Sequence, residues 1–417
     1  MIQPAAAVQT VPGPDTQIGR QANRCVIGCL LATVASSTPV VNATFGVFLV
    51  PIAHDLHWPR ARVSVVLIVV AVMCAAAYPF VGRLADRLGV RRVALAGNVL
   101  FAGSVASLSL TGGSVLRTVL LFALLGITSA IPSAMLFAKL LSGWFTARRG
   151  LMLGLAGGVG NGLGCTVMPL LAGTVITGWG WRDAYLVLGL AVLCIGFPSI
   201  LLLRDPAPAV IARPVSDVSD GMSLGQSIRT GRFWCILGVM ALGAGSLTAV
   251  FTHVVALLTD RAVALPVATL AVSVIALVGS GWQLVLGHVL DRTASPRIMA
   301  PFFLLAVLGL ALLAEGTSTV TLLAGAGLIG LAIGTDYGAI PYVVGRYFGL
   351  RAYGTICGLI FGINVIVLGT SPFLTDMVYD GTGSYHLALL AIGACLVLCA
   401  LLCLMLPRYA AARTKGF

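Results

Sequence analysis

Long apolar runs alternate with short polar breaks along almost the whole of this chain. Crossing about 30 Å of hydrocarbon takes about 20 helical residues. Runs of that kind fall near 25–50, 62–82, 92–110, 116–138, 150–175, 184–203, 233–258, 266–289, 298–314, 319–345, 352–376 and 385–406. The pattern predicts an all-α integral membrane protein of twelve transmembrane helices. One connection is long: 204–232 holds Pro206, Pro208 and Pro214 with Asp217, Ser219, Asp220 and Gly221, which is linker chemistry. The expected organisation is a tail over 1–24, a six-helix bundle over 25–203, a linker over 204–232, a second six-helix bundle over 233–406 and a tail over 407–417.

Composition agrees. Of the 417 residues, 59% are hydrophobic and 9% charged, against about 25% charged in a soluble domain. No water-facing surface can be built from this mixture, so the bilayer is the solvent. The ten cysteines fall inside apolar runs, without zinc or disulfide spacing, and read as small hydrophobes. Residues 1–22 lack the basic start and apolar core of a signal peptide and read as a short tail.

The net charge of +12 is informative through its placement. With the N-terminus on the cytoplasmic side, 20 of the 25 Lys and Arg fall in inner loops and tails. Only Arg60, Arg62, Arg117, Arg182 and Arg261 lie outside. Positive residues resist translocation, so both termini are expected in the cytoplasm of a cell whose inner or plasma membrane holds the protein.

The two halves echo each other. Gly82-Arg83-Leu84-Ala85-Asp86-Arg87-Leu88-Gly89-Val90-Arg91-Arg92 has a looser copy in Gly287-His288-Val289-Leu290-Asp291-Arg292, 205 residues on. Trp144-Phe145-Thr146-Ala147-Arg148 matches Tyr347-Phe348-Gly349-Leu350-Arg351 at an offset of 203, as Asn161 matches Asn364 and Pro169 matches Pro372. Six helices repeated in parallel about an axis along the membrane normal is the plan of carriers whose halves rock around a site at mid-depth.

At 82–92 the chain resembles the major facilitator superfamily (MFS), matching that family's loop between helices two and three. Within it, the chain is most similar to the monocarboxylate-transporter and oxalate:formate-antiporter branch. That likeness rests on Phe45-Gly46-Val47-Phe48 with Trp58 and Ser64, on Trp144-Phe145-Thr146-Ala147-Arg148-Arg149-Gly150 before a Gly-rich helix, and on Gly180-Trp181-Arg182-Asp183-Ala184-Tyr185. The resemblance implies an MFS fold of two pseudo-symmetric six-helix bundles. It also implies a secondary active transporter moving a small organic solute of mono- or dicarboxylate type, coupled to protons or by exchange. Its charged loop implies a conformational latch of Gly82, Asp86, Arg87, Gly89, Arg91 and Arg92, with Asp291 and Arg292 in the second copy. One departure stands out. The basic residue that carriers of this branch often hold in helix eight falls at Gln283, and 352–376 contains no Lys or Arg.

In the latch, Gly82 and Gly89 permit close backbone approach, and Asp86 can pair with Arg or face a helix N-terminus. The glycines of the fifth span, among them Gly154, Gly158 and Gly162, permit close helix contact; following no strand, they do not read as a phosphate loop. Asp336 is the only acidic residue placed deep in a span. A lone carboxylate there costs roughly 2.5–3.5 kcal/mol, which makes it the proton-coupling candidate. Asn42, Ser133, Asn161, Gln283 and Asn364 fall near mid-depth, and Tyr337 neighbours the acid; these six are the substrate-path candidates. His253, in the outer half of span seven, titrates in the range of a proton sensor. No intramembrane His–Asp or Ser–His–Asp grouping, metal cluster or Walker segment is read from the sequence. An enzyme is therefore not expected, nor a cofactor, a metal or a nucleic-acid partner; the protein is expected to work as a monomer. The alternatives are a proton-driven efflux pump for a drug or natural product and, further off, a transporter-like solute sensor.

Overall fold

The computed structural model describes residues 17–133, 136–137, 140–141, 144, 158–205, 221–291, 293, 295–349 and 352–408. Of the candidate residues, Arg292 lies outside the described residues, as do the side chains of Asp86, Asp291 and Tyr337. The helices are α1 Gln17–Val34, α2 Ala43–Leu56, α3 Arg60–Leu88, α4 Val90–Ser107, α5 Val115–Ser129, α6 Asn161–Trp179, α7 Trp181–Ala191, α8 Phe197–Leu201, α9 Leu224–Ile228, α10 Gly231–Asp260, α11 Leu265–Asp291, α12 Ala300–Glu315, α13 Thr319–Phe348, α14 Tyr353–Thr382 and α15 His386–Met405. Short π turns at Thr38–Asn42 and Val192–Gly196 join α1 to α2 and α7 to α8. Among the described residues, eleven helices are long and apolar enough to cross a membrane, and α5 is a shorter apolar one.

The helix ends follow from local chemistry. Ser114, Thr230 and Ser318 accept backbone N–H groups at the starts of α5, α10 and α13, supplying partners to donors that a helix start leaves unpaired. Gly89 closes α3 at φ +85° and Gly349 closes α13 at φ +73°. The exposed faces are apolar. Leu116, Leu120, Leu124 and Ile127 form a stripe along α5 at helical spacing, a surface made for lipid.

The repeat read from the sequence reappears as paired interactions. Arg91 donates to the carbonyl of Leu201 at 3.2 Å, and Arg297 to that of Leu406 at 3.1 Å. The Trp144 indole donates to the carbonyl of Arg204 at 2.8 Å, and the Tyr347 hydroxyl to that of Pro407. Each pair ties the far end of the last helix of its half to the same relative place.

Several expectations needed correction. The first span is longer than 25–50: Arg20–Leu56 runs over 37 residues. Within 116–138, α5 stops at Ser129 and the chain turns before Ser133. The eleventh span does not stop at residue 376, because α14 continues to Thr382. The last of these matters most, since it puts Asp376 well inside a helix rather than at its end.

Candidate functional site

The two halves meet along three helix pairs: α2 against α10, α3 against α14, and α6 against α11. At one end of the molecule, marked by Arg60, this seam is tightly shut. A Cβ on Gly46 would lie 2.2 Å from the carbonyl oxygen of Thr252, and one on Gly369 would lie 2.6 Å from the Cβ of Ala71. Ser273 donates to the carbonyl of Thr166 at 3.1 Å.

Arg60, the first residue of α3, forms the clasp. Its guanidinium holds both carboxylate oxygens of Asp260, at the end of α10, at 2.7 Å each. It also donates to the Tyr385 hydroxyl at 2.9 Å and lies 4.1 Å over the Tyr379 ring. Asp380 of α14 accepts the backbone N–H groups of Arg60 and Ala61 at 3.1 and 2.8 Å. A carboxylate from the second half thus caps a helix of the first, where the helix dipole favours negative charge.

Behind the clasp is a buried polar cluster. Asp376 of α14 is fully buried, and its carboxylate accepts hydrogen bonds from the Ser64 hydroxyl of α3 and from the Tyr385 hydroxyl at 3.3 Å. Nε2 of His253, in α10, lies 3.0 Å from the Asp376 Oδ2. That nitrogen has no aligned hydrogen-bond partner among the described residues, so the contact is a close approach rather than a formed hydrogen bond. Nδ1 of the same ring is 2.8 Å from the carbonyl of Ala249 and 3.0 Å from Oγ1 of Thr252. The expectation that Asp336 is the only deep acid is therefore corrected, and so is the absence of a His–Asp or Ser–His–Asp grouping. Ser64 and Asp376 are 312 residues apart in sequence, and the span drawn to end at 376 hid the depth of the acid. The grouping is not a hydrolytic triad, since Ser64 bonds to the carboxylate and not to the imidazole.

Asp336 is 1% exposed, and neither carboxylate oxygen has a partner among the described residues. It faces into the second half: the place of a Cβ on Gly243 is 3.0 Å from its Oδ1 and 3.1 Å from the Phe303 ring. Among the described residues, no hydrogen bond joins it to another path candidate. Gln283 does reach the opposite half, with Oε1 3.5 Å from a Cβ built on Gly158. Asn364 is buried with an unpaired Oδ1. Ser133 is buried, bonds to the carbonyl of Ala130 at 2.8 Å and lies within reach of the Tyr78 hydroxyl. Asn42 and Asn161 are half-buried, at the end of a π turn and the start of α6.

In the latch, Gly89 is closely approached. A Cβ on Gly89 would lie 2.5 Å from Oδ2 of Asp205, whose carboxylate caps α4 through the N–H of Val90 at 2.8 Å. The carboxylate at that helix start is Asp205, a residue the sequence did not single out. The Arg87 and Arg92 side chains are exposed.

The family comparisons agree with this architecture. The model of the Major Facilitator Superfamily matches residues 29–372. Human monocarboxylate transporter 11 is 30% identical over 359 residues, covering 81% of this chain and 72% of that protein. The uncharacterized MFS-type transporter YhjX of Escherichia coli is 24% identical over 335 residues, covering 78% and 81%. The mouse monocarboxylate transporter 11 is 29% identical over 354 residues, covering 80% and 75%. Paired halves, lipid-facing apolar surfaces and this match over most of the chain place the protein in the major facilitator superfamily, as an integral membrane transporter of small molecules and not an enzyme.

Proposed function

We propose that this transporter moves a small organic solute of monocarboxylate type by alternating access, with proton coupling. Residues 25–203 and 233–406 act as the rocking halves, both termini face the cytoplasm, and the Arg60 end faces outward, following the distribution of Lys and Arg. The observation that supports the mechanical part is the clasp between the halves. Arg60 of the first half is held by Asp260 and Asp380 of the second. The solute class is supported by the likeness to proteins named monocarboxylate transporter 11. Asn42, Ser133, Asn161, Gln283, Tyr337 and Asn364 are the path candidates. Gln283 supports a hydrogen-bonded carboxyl group over a salt-bridged one, because an amide offers donors but no charge.

Asp336 is the proposed coupling residue, since a bare carboxylate without a partner is costly at that depth. The test is uptake of short monocarboxylates, dicarboxylates and amino acids into proteoliposomes under an imposed pH gradient. Gradient-dependent accumulation of monocarboxylates is expected. Asp336→Asn should lose uphill accumulation while keeping exchange down a gradient. Full accumulation with unchanged pH dependence in that variant would remove Asp336 from the coupling path. Failure of every monocarboxylate would remove the solute class.

A further inference from the structure

The MFS repeat supplies an internal control for the buried cluster. Thr269 is the counterpart of Ser64 at an offset of 205, Gly173 that of Asp376 at 203, and Phe48 that of His253 at 205. The seam therefore crosses twice in equivalent ways. At one crossing, Ser64 of α3 meets Asp376 of α14. At the other, the methyl group of Thr269 in α11 lies 3.2 Å from where a Cβ on Gly173 of α6 would sit. His253 stands 5.7 Å from the Tyr385 ring, whereas Phe48 stacks on Tyr185 at 4.0 Å. The second crossing is shut by this apolar contact and the hydrogen bond from Ser273 to the carbonyl of Thr166, with neither an acid nor an imidazole in these contacts. The acid and the imidazole at the first do something that closure does not require.

The hydrogen bonds say what that is. The carbonyl of Ala249, an acceptor only, lies 2.8 Å from Nδ1 of His253, and this shorter of the two contacts of Nδ1 assigns the ring proton to it. The Thr252 hydroxyl, 3.0 Å from Nδ1, lies 2.8 Å from the carbonyl of Thr248 and can donate there instead. In a neutral ring, Nε2 is then the lone-pair nitrogen. A lone pair and a carboxylate oxygen 3.0 Å apart repel each other where both side chains are buried, unless one of them carries a proton. The other ionisable groups facing the pair are Tyr385, on Asp376 itself, then Arg60, Asp260, Asp380 and Tyr379 of the clasp. Arg60 touches Tyr385 and Asp260 rather than Asp376, so no described cation neutralises the carboxylate directly.

We infer that His253 and Asp376 form a proton-binding site built into the seam, which must hold a proton for the Arg60 end to shut. The proton sits on Nε2 or on Oδ2, and no bond other than N–H or O–H changes. When the end opens, the pair separates and meets water, which solvates either group without the proton. By linkage, the state that binds the extra proton is favoured at low pH, so closure of this end strengthens as pH falls and weakens as it rises. The inference rests on alternating access, and on neither the solute nor Asp336.

Hydrogen–deuterium exchange of the full-length protein in lipid nanodiscs, without solute, tests it. Each rate is divided by that of an unstructured chain at the same pH. Peptides covering 57–68 and 372–385 report the seam, and a peptide covering 300–315 reports global stability. Seam protection should be on the order of tenfold higher at about pH 5.5 than at about pH 8. Asp376→Asn offers an amide that can donate to Nε2 and a carbonyl that accepts from Ser64, so its seam should stay protected at both pH values. His253→Phe copies the residue of the other half and should reduce the ratio to under about twofold. A flat wild-type ratio would overturn the inference. So would an unchanged pH response in His253→Phe, or a response of equal size in 300–315. The wild-type and His253→Phe results decide the matter even if Asp376→Asn does not fold.

Discussion

Arg60→Ala is the sharpest test of the clasp. The substitution removes a two-pronged bond to Asp260, a hydrogen bond to Tyr385 and a cation over the Tyr379 ring. Deleting one partner of a fully buried ion pair costs about 3–5 kcal/mol, while an exposed pair is worth about 0.2–1 kcal/mol. The side chains here are 12% and 28% exposed, so the pair belongs between these limits. The ring contact adds about 0.5–1 kcal/mol. A loss of about 2–3 kcal/mol follows, which at about 1.36 kcal/mol per decade shifts the closed-to-open ratio roughly 30- to 150-fold. Most of the clasp crosses between halves, so the loss falls on closure rather than on the stability of either half. Exchange over 57–68 should rise steeply, while the melting temperature moves little. Arg60→Lys should lie between, keeping the charge without the fork. A change under threefold at 57–68, or a fall in melting temperature without local deprotection, would refute the reasoning.

Two glycines give further outcomes. Gly89→Ala places a side chain at φ +85° and against Asp205, so it should cost about 1–3 kcal/mol of thermal stability and uncap α4; a melting temperature within error of wild type would contradict this. Gly46→Val puts a branched side chain where the Thr252 carbonyl is 2.2 Å away, and a backbone carbonyl cannot swing aside. It should hold the Arg60 end open, giving high exchange at 57–68 at every pH and loss of transport in proteoliposomes, and retained transport would count against it.

Much of the architecture was legible in the sequence because a membrane restricts the choices. A chain this apolar must pair its backbone groups within helices, and the offsets of 203 and 205 residues give the repeat before any contact is known. Trp144 and Tyr347 were matched by sequence alone, and each is found holding the carbonyl 60 residues further on. The candidate site was less legible. Asp376 lay at the edge of its run, and hydropathy places such an edge poorly when Thr375, Asp376 and Tyr379 continue a helix that is still buried. Asp205 lay among linker residues and gave no sign that it caps a helix more than a hundred positions earlier. His253 was noted for its titration range, but its partner could not be named. A signal was present all the same: His253 and Asp376 stand at similar depth, near the same ends of the seventh and eleventh spans, where their counterparts Phe48 and Gly173 are apolar.

The two ends of the seam differ in how their contacts are made. At the Arg60 end the binding groups are charges and buried hydrogen bonds from opposite halves, strong only when water is excluded. At the Gly82 end the motif lies within one half, and its described contacts, Arg91 to Leu201 and Asp205 to Val90, also stay within that half. A device that must release repeatedly cannot rest on apolar burial alone, because such contacts change little with pH. Placing an acid and an imidazole in the seam behind the clasp makes its closure respond to protons while adding little to the stability of either half. That division explains why the titratable groups appear at one crossing of the repeat and not at its twin. It also predicts that a substitution copying the twin, His253→Phe, removes the response and keeps the fold.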